Sequence, residues 1–382
     1  MTAHAPTIVT APTTADLLAL LPDLAGVPVR NSIVVAPFVG KQSTRAMRVD
    51  LPSESTPTVW QSLASTFLGQ LARLNHCDGV AVAIYSDHPY DITRRDWHDG
   101  LEYILDRLHD AGYHIKDAAL QACDGWSAHF DEGGPRPLTE VLSSRSRFPD
   151  DARDQTPLTL PDTEPVLAEQ VRAQFADLVD DEASLPEPIA LLEKCLALPP
   201  EEVDALRLAQ LLALIQTEGA VDRTVLQIAF GRKAGMRSWA RTLEIRARAA
   251  REGCTPMDVL QREFLQGRPD TDRFSRMLTG ESGQPVSPTR LRSGAVLLGR
   301  VVAHAPVPQR SWAMCALGWV RWALGLASAA DEILRAARTL DPRNSLAPYY
   351  HTLVTHFFPG WIYRDALPVT PNRAERRKAS RR

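Results

Sequence analysis

Residues 316–344, ALGWVRWALGLASAADEILRAARTLDPRN, decide how the second half of the chain folds. Counting back from Pro342, small or apolar residues stand at Leu317, Gly318, Gly325, Ala330 and Ala337. Two antiparallel helices approach closely only where Gly or Ala removes side-chain bulk, and Pro ends the second of them. The stretch therefore predicts a helical hairpin, placed at 310–350. Helical periods upstream extend the reading, near 164–180, 187–197, 201–217, 222–230, 236–252, 256–265, 289–304 and 310–324, with Pro and Gly at nearly every junction. Everything after about residue 164 thus reads as all-α.

The first 130 residues read differently. TADLLALLPDLAG predicts a short amphipathic helix with Thr14 as N-cap, Asp16 in its first turn and Gly26 as its stop. NSIVVAPFVG and TRAMRVDLP, separated by Gly40 and a polar Lys41-Gln42-Ser43, predict adjacent antiparallel strands, with Pro37 confined to an edge or bulge. A helix through TVWQSLASTFLGQLARL leads to GVAVAIYSD, whose unbroken apolar character predicts a strand covered on both faces. RRDWHDGLEYILDRLHDAG gives another helix before IKDAALQACDGWSAHF. This alternation packs most simply as one mixed sheet of about four to five strands with helices against it.

Residues 131–163 are rich in Pro, Gly, Ser and Asp and offer little apolar surface to offset the entropy of ordering. The expected organisation is α+β: an α/β sandwich at 1–130, a linker at 131–163, an all-helical domain at 164–363 and a basic disordered tail at 364–382. With 43 basic against 46 acidic residues in 382, the composition is that of an ordinary globular protein. No run of about 18 apolar residues spans a bilayer and the start lacks a basic n-region with an apolar h-region, so the expected address is the cytoplasm, without a membrane. Cys77, Cys123, Cys195, Cys254 and Cys315 are scattered, without a Cys-x-x-Cys pair, and read as reduced, mostly buried thiols.

The 316–344 hairpin resembles a tetratricopeptide-type repeat, departing from it where Met314 and Arg321 replace the usual aromatics. A wider resemblance rests on Leu17 to Leu24, Gly26 to Pro28, Ser32 to Val35, Arg48 to Pro52, and Asp117, Gly125, Trp126 and Ser127. Together with the C-terminal hairpin these residues resemble an actinobacterial domain-of-unknown-function family, family 4192, from about residue 14 to 360. That resemblance implies an architecture and carries no activity.

Three readings of function follow from particular residues. Asp50, Asp87 and Asp124 stand at or just beyond predicted strand ends, where α/β sheets gather ligands, and carboxylates converging there would hold Mg²⁺ for hydrolase or nuclease chemistry. Aspartate in those settings also forms turns and caps. Six histidines between His76 and His129 repeat no ligand spacing, and neither a phosphate-binding glycine loop nor a nucleophile elbow is present. A nucleic-acid reading rests on charge. Residues 223–251 hold eight bases (Arg223, Arg232, Lys233, Arg237, Arg241, Arg246, Arg248, Arg251) against one acid, with Trp239 among them, and the tail adds Arg376, Arg377 and Lys378. The acidic block at 150–204, with 15 acids against 3 bases, is a competing partner for that stripe.

The third reading rests on the aromatic end of the chain, where Trp312, Trp319, Trp322, Tyr349 and Tyr350 either line a partner-binding groove or form the core. The leading expectation is a protein-interaction or regulatory scaffold without catalysis or cofactor. It would hold another protein through the helical domain, the basic segments adding attraction. A metal-dependent enzyme and a nucleic-acid-binding accessory protein are the alternatives.

Overall fold

A computed structural model describes residues 10–361, except 26–28, 44–45, 75, 130, 132–133, 148–158, 181–183, 217–218 and 358. The expected tail at 364–382 lies outside the described residues. The chain divides into two compact units, with described residues up to 147 in one and 159–361 in the other.

In the first unit the order is α1 (Thr14–Ala25), β1 (Ser32–Phe38), β2 (Met47–Asp50), α2 (Pro57–Leu71), β3 (Gly79–Tyr85), α3 (Tyr90–Asp110), β4 (His114–Gln121), β5 (Trp126–Ala128) and α4 (Thr139–Arg145). The sheet runs β2-β1-β3-β4-β5. Only β3 and β4 pair in parallel, joined by α3 as the crossover that parallel strands require. Strand β3 is buried at every residue because its two faces alternate. Val80, Val82 and Ile84 pack with Trp60, Phe67, Trp97 and Leu101 of α2 and α3, while Ala81, Ala83 and Tyr85 pack with Leu18 and Leu21 of α1. The Tyr85 hydroxyl donates to the Leu18 carbonyl at 2.8 Å.

Three local expectations are corrected. Strand β1 is internal, yet Pro37 is tolerated because β2 pairs only with Ser32 to Val35, leaving its nitrogen beyond the end of β2. The reciprocal bonds of the first turn of α1 use Thr13 rather than Thr14: the Asp16 amide donates to Thr13 Oγ1 and the Thr13 amide to Asp16 Oδ2. Within the stretch read as linker, α4 packs on α1, with Arg145 donating to the Ala19 carbonyl at 2.9 Å and to Asp23 at 3.0 Å.

The second unit is built from α5 (Pro165–Asp180), α6 (Pro188–Ala197), α7 (Ala205–Ile215), α8 (Ala220–Phe230), α9 (Arg232–Glu252), α10 (Pro256–Leu265), α11 (Pro269–Leu278), α12 (Pro288–His304), α13 (Arg310–Ala323), α14 (Ala327–Leu340) and α15 (Leu346–His356). Helix α13 is the centre. Ser311 and every residue from Ala313 to Ala323 are buried, so this helix is covered all round by α8, α12, α14 and α15. Gly318 lets α14 approach, since a Cβ there would stand 2.6 Å from Leu334 Cγ. Among the described residues no helix is long and apolar enough to cross a membrane.

One contact ties α8 to α15, the buried Tyr350 hydroxyl donating to the partly buried Asp222 carboxylate. Desolvation raises the Asp222 carboxyl above the usual range, and the Tyr350 hydrogen bond offsets part of that rise. The folded state therefore holds this proton more readily than the unfolded chain. The associated stability is present below the ordinary carboxylate pKa and is lost as pH rises through the raised value. Tyr350→Phe is expected to cost about 2 kcal/mol at neutral pH by stranding a desolvated carboxylate. Asp222→Asn, which keeps an acceptor and removes the charge, is expected to cost less. Urea denaturation of the two single variants and the double variant checks this: loss of the hydroxyl is expected to matter least in the Asp222→Asn background, where no charge is left stranded.

Candidate functional site

The three aspartates of the sheet share one end of it. Asp50 lies opposite Ser32, Ser32 opposite Tyr85, and Tyr85 opposite Gln121, with Asp87 and Asp124 just beyond those last two strand ends. They do not share a ligand set. Asp50 and Asp87 belong to strands separated by β1, roughly 10 Å by strand spacing alone. Each carboxylate is engaged locally. Asp50 pairs with Arg48. Asp87 accepts from Asn31 Nδ2 at 3.0 Å and Arg30 Nε at 3.3 Å. Asp124 accepts the Tyr90 amide at 2.7 Å, satisfying a donor at the start of α3. Among the described residues no three His, Cys, Asp or Glu side chains are gathered to hold a metal ion. The Mg²⁺ set of Asp50, Asp87 and Asp124 is corrected accordingly: Asp50 ends β2 in an ion pair, Asp87 ties the chain after β3 to Asn31 and Arg30, and Asp124 caps the start of α3.

Ser127 accepts from the Tyr90 hydroxyl at 2.9 Å. His98 and His129 stack at 5.1 Å with Glu102 beside both, and burial together with His98 lowers the pKa of His129. All five cysteines are free thiols, although only Cys195 and Cys315 are buried. Burial pushes Cys195 up to about 11 and Cys315 up to about 12, which keeps both as thiols at neutral pH.

In the helical unit the aromatic residues divide. Trp319, Trp322 and Tyr350 are fully buried, and the Trp319 and Trp322 rings lie 5.7 Å apart and both meet Trp361. Their indoles donate inward, Trp319 to the Leu278 carbonyl at 2.9 Å and Trp322 to that of Phe357 at 3.0 Å. These are core residues, and the groove expected from them is corrected. Trp312 is partly buried against the same core, and Tyr349 is half exposed. The cavity bounded by α6, α7, α8 and α12 is about 20 Å³, room for roughly one water molecule.

The basic stripe is likewise divided. Arg223 is buried over the Trp239 ring at 4.9 Å, and desolvation lowers its pKa to about 10. Arg241 and Arg248 both hold Glu263 of α10, itself 1% exposed, while two acids of the 150–204 block, Glu187 and Glu193, act electrostatically on Arg223 and Arg232. Arg232, Lys233, Arg237 and Arg251 are exposed. Arg376, Arg377 and Lys378 lie outside the described residues.

Between these cations the surface is apolar. Met236 and Leu243 on α9 are 52% and 47% exposed, and α10 exposes Met257, Phe264 and Leu265 at 65%, 65% and 77%. Met236 and Leu243 lie on the side of α9 opposite the one packed on α10, so the exposed apolar residues of the two helices are separate sets, and those of α9 follow one helical face. A reading by charge passes over them, because the arginines dominate this stretch. The signal in the sequence is the spacing of the apolar positions within α9.

A family model described as a domain of unknown function (DUF4192) matches residues 15–359. No curated protein and no solved structure matches the chain.

Proposed function

The chain belongs to the DUF4192 domain-of-unknown-function family, and from its own residues we propose that it acts by binding another protein rather than by turning over a substrate. The observation that carries this reading is the exposed apolar side of α9, with Met236 and Leu243 standing among arginines. Burying such side chains drives association, and a flexible methionine adapts to the surface of a partner. In this reading the α13–α14 hairpin is a tetratricopeptide-like unit used as the rigid centre of the scaffold. The recognition surface is on the outward side of α9, and the setting is the cytoplasm of an actinobacterium.

A photo-crosslinking residue at position 243, in cells that express the protein, tests the reading. A control carries the same residue at position 142, where exposed Leu142 lies on α4 of the first unit. The expected result is a protein adduct from position 243 that position 142 does not form. The same adducts from both positions, or none from 243, would remove the proposal.

A further inference from the structure

Met236, Ala240, Leu243, Ala247 and Ala250 are all exposed and follow one another at steps of four, three, four and three residues. That is the spacing of the apolar seam between two coiled helices. The opposite side of α9 is occupied, since Ala234, Ser238, Ile245 and Ala249 are buried, the last two with Val259 of α10. Helix α9 thus has two apolar faces, one used inside its own unit and one presented outward.

The residues flanking the outward seam decide what lies on it. Arg237, Glu244 and Arg251 run along one edge, and Arg232, Trp239 and Arg246 along the other. In an antiparallel pair of two copies, Arg237 of one α9 would face Arg251 of the other. In a parallel pair, Arg232 would face Arg237 and Arg246 would face Arg251. Either register of self-pairing sets like charges together, which disfavours a second copy as occupant. An acidic partner converts the same positions into attraction. Nucleic acid is also acidic, but phosphates make no use of an apolar seam, and Arg241 and Arg248 are already held by Glu263.

We propose that the outward seam of α9 takes an amphipathic helix from a partner protein, one whose apolar stripe is flanked by glutamate or aspartate. The inference rests on the interaction reading above and names the chemistry of its partner.

Two labelled synthetic helices with the same leucine seam, one flanked by glutamate and the other by lysine, test it by fluorescence anisotropy with the full chain. The glutamate helix is expected to bind at least about tenfold tighter than the lysine helix. Leu243→Asp is expected to weaken the glutamate helix at least about tenfold, and Arg237→Glu with Arg251→Glu to turn the preference toward lysine. All three positions are exposed, and an unchanged melting temperature confirms that the variants fold. Equal binding of both helices, or binding of neither, would overturn the proposal. Binding that survives the substitutions would also overturn it, since the untouched basic segment 373–382 would then be its source. So would displacement of the glutamate helix by a short oligonucleotide, or dimerisation of the chain that Leu243→Asp abolishes. If position 243 still crosslinks to a protein while neither helix binds, the interaction reading stands and only the helical, acidic character of the partner falls.

Discussion

Trp319→Ala is expected to destabilise the helical unit by about 4 kcal/mol, the range for truncating a fully buried aromatic side chain. The indole is 0% exposed, its nitrogen donates to the Leu278 carbonyl, and its ring meets both Trp322 and Trp361. The substitution removes the ring contacts and leaves that carbonyl without its donor. Guanidinium denaturation followed by near-ultraviolet circular dichroism measures the loss. Leu243→Asp, at an exposed position, is expected to change stability by no more than about 0.5 kcal/mol. This contrast separates core from recognition surface. Trp319→Ala would abolish partner binding only by unfolding the unit, whereas Leu243→Asp would abolish it in a protein that remains folded. A Trp319→Ala variant as stable as the parent would return Trp319 to the surface and reverse the assignment.

Gly100→Ala is expected to cost about 3 kcal/mol in the first unit, at the upper end of ordinary overpacking. A Cβ on residue 100 would stand 1.9 Å from Cε2 of Trp60, so either α3 must move from α2 or the ring must turn. The ring is not free to turn. It meets Trp97 edge-on at 5.8 Å, and its nitrogen donates to Ser55 Oγ at 3.0 Å. In a Trp60→Leu background the added methyl is expected to cost less, because the atoms it meets are gone. Thermal denaturation of the four-member cycle checks the coupling, and equal costs in both backgrounds would place the strain elsewhere.

Much of the fold is legible in the sequence because it rests on periodicity. The apolar run of β3 requires cover on both faces, and α1 on one side with α2 and α3 on the other provide it. The glycine and alanine residues of 316–344 announce the close approach of α13 and α14. What escapes such a reading depends on tertiary partners. Helix α4 is short, and its ties to α1 come through Arg145, a residue more than a hundred positions away in sequence. Helix α11 opens with Pro269 and is polar through its first half, so its apolar residues, Phe274, Met277 and Leu278, make too short a run to announce a helix, although Met277 and Leu278 are buried.

The site is less legible, because residue type does not reveal which neighbour uses a side chain first. The aspartates stand at the strand ends, as their positions along the chain predict, yet Arg48, Asn31 and the Tyr90 amide engage them. The arginine stripe reads as a single cationic face until Glu263, distant from Arg241 by 22 residues, is seen between Arg241 and Arg248. Conversely, the α9 seam contains three alanines, which look featureless in a sequence and matter only once the helix's other face is known to be occupied.

In the proposed reading the chain works by presenting the α9 surface to a protein. The most direct measurement is a calorimetric titration of the partner crosslinked from position 243 against the parent protein and the Met236→Asp/Leu243→Asp variant. A negative heat-capacity change is expected for the parent, as burial of apolar surface requires, with a loss of at least about a hundredfold in affinity for the variant. Equal affinity for the two proteins would contradict it.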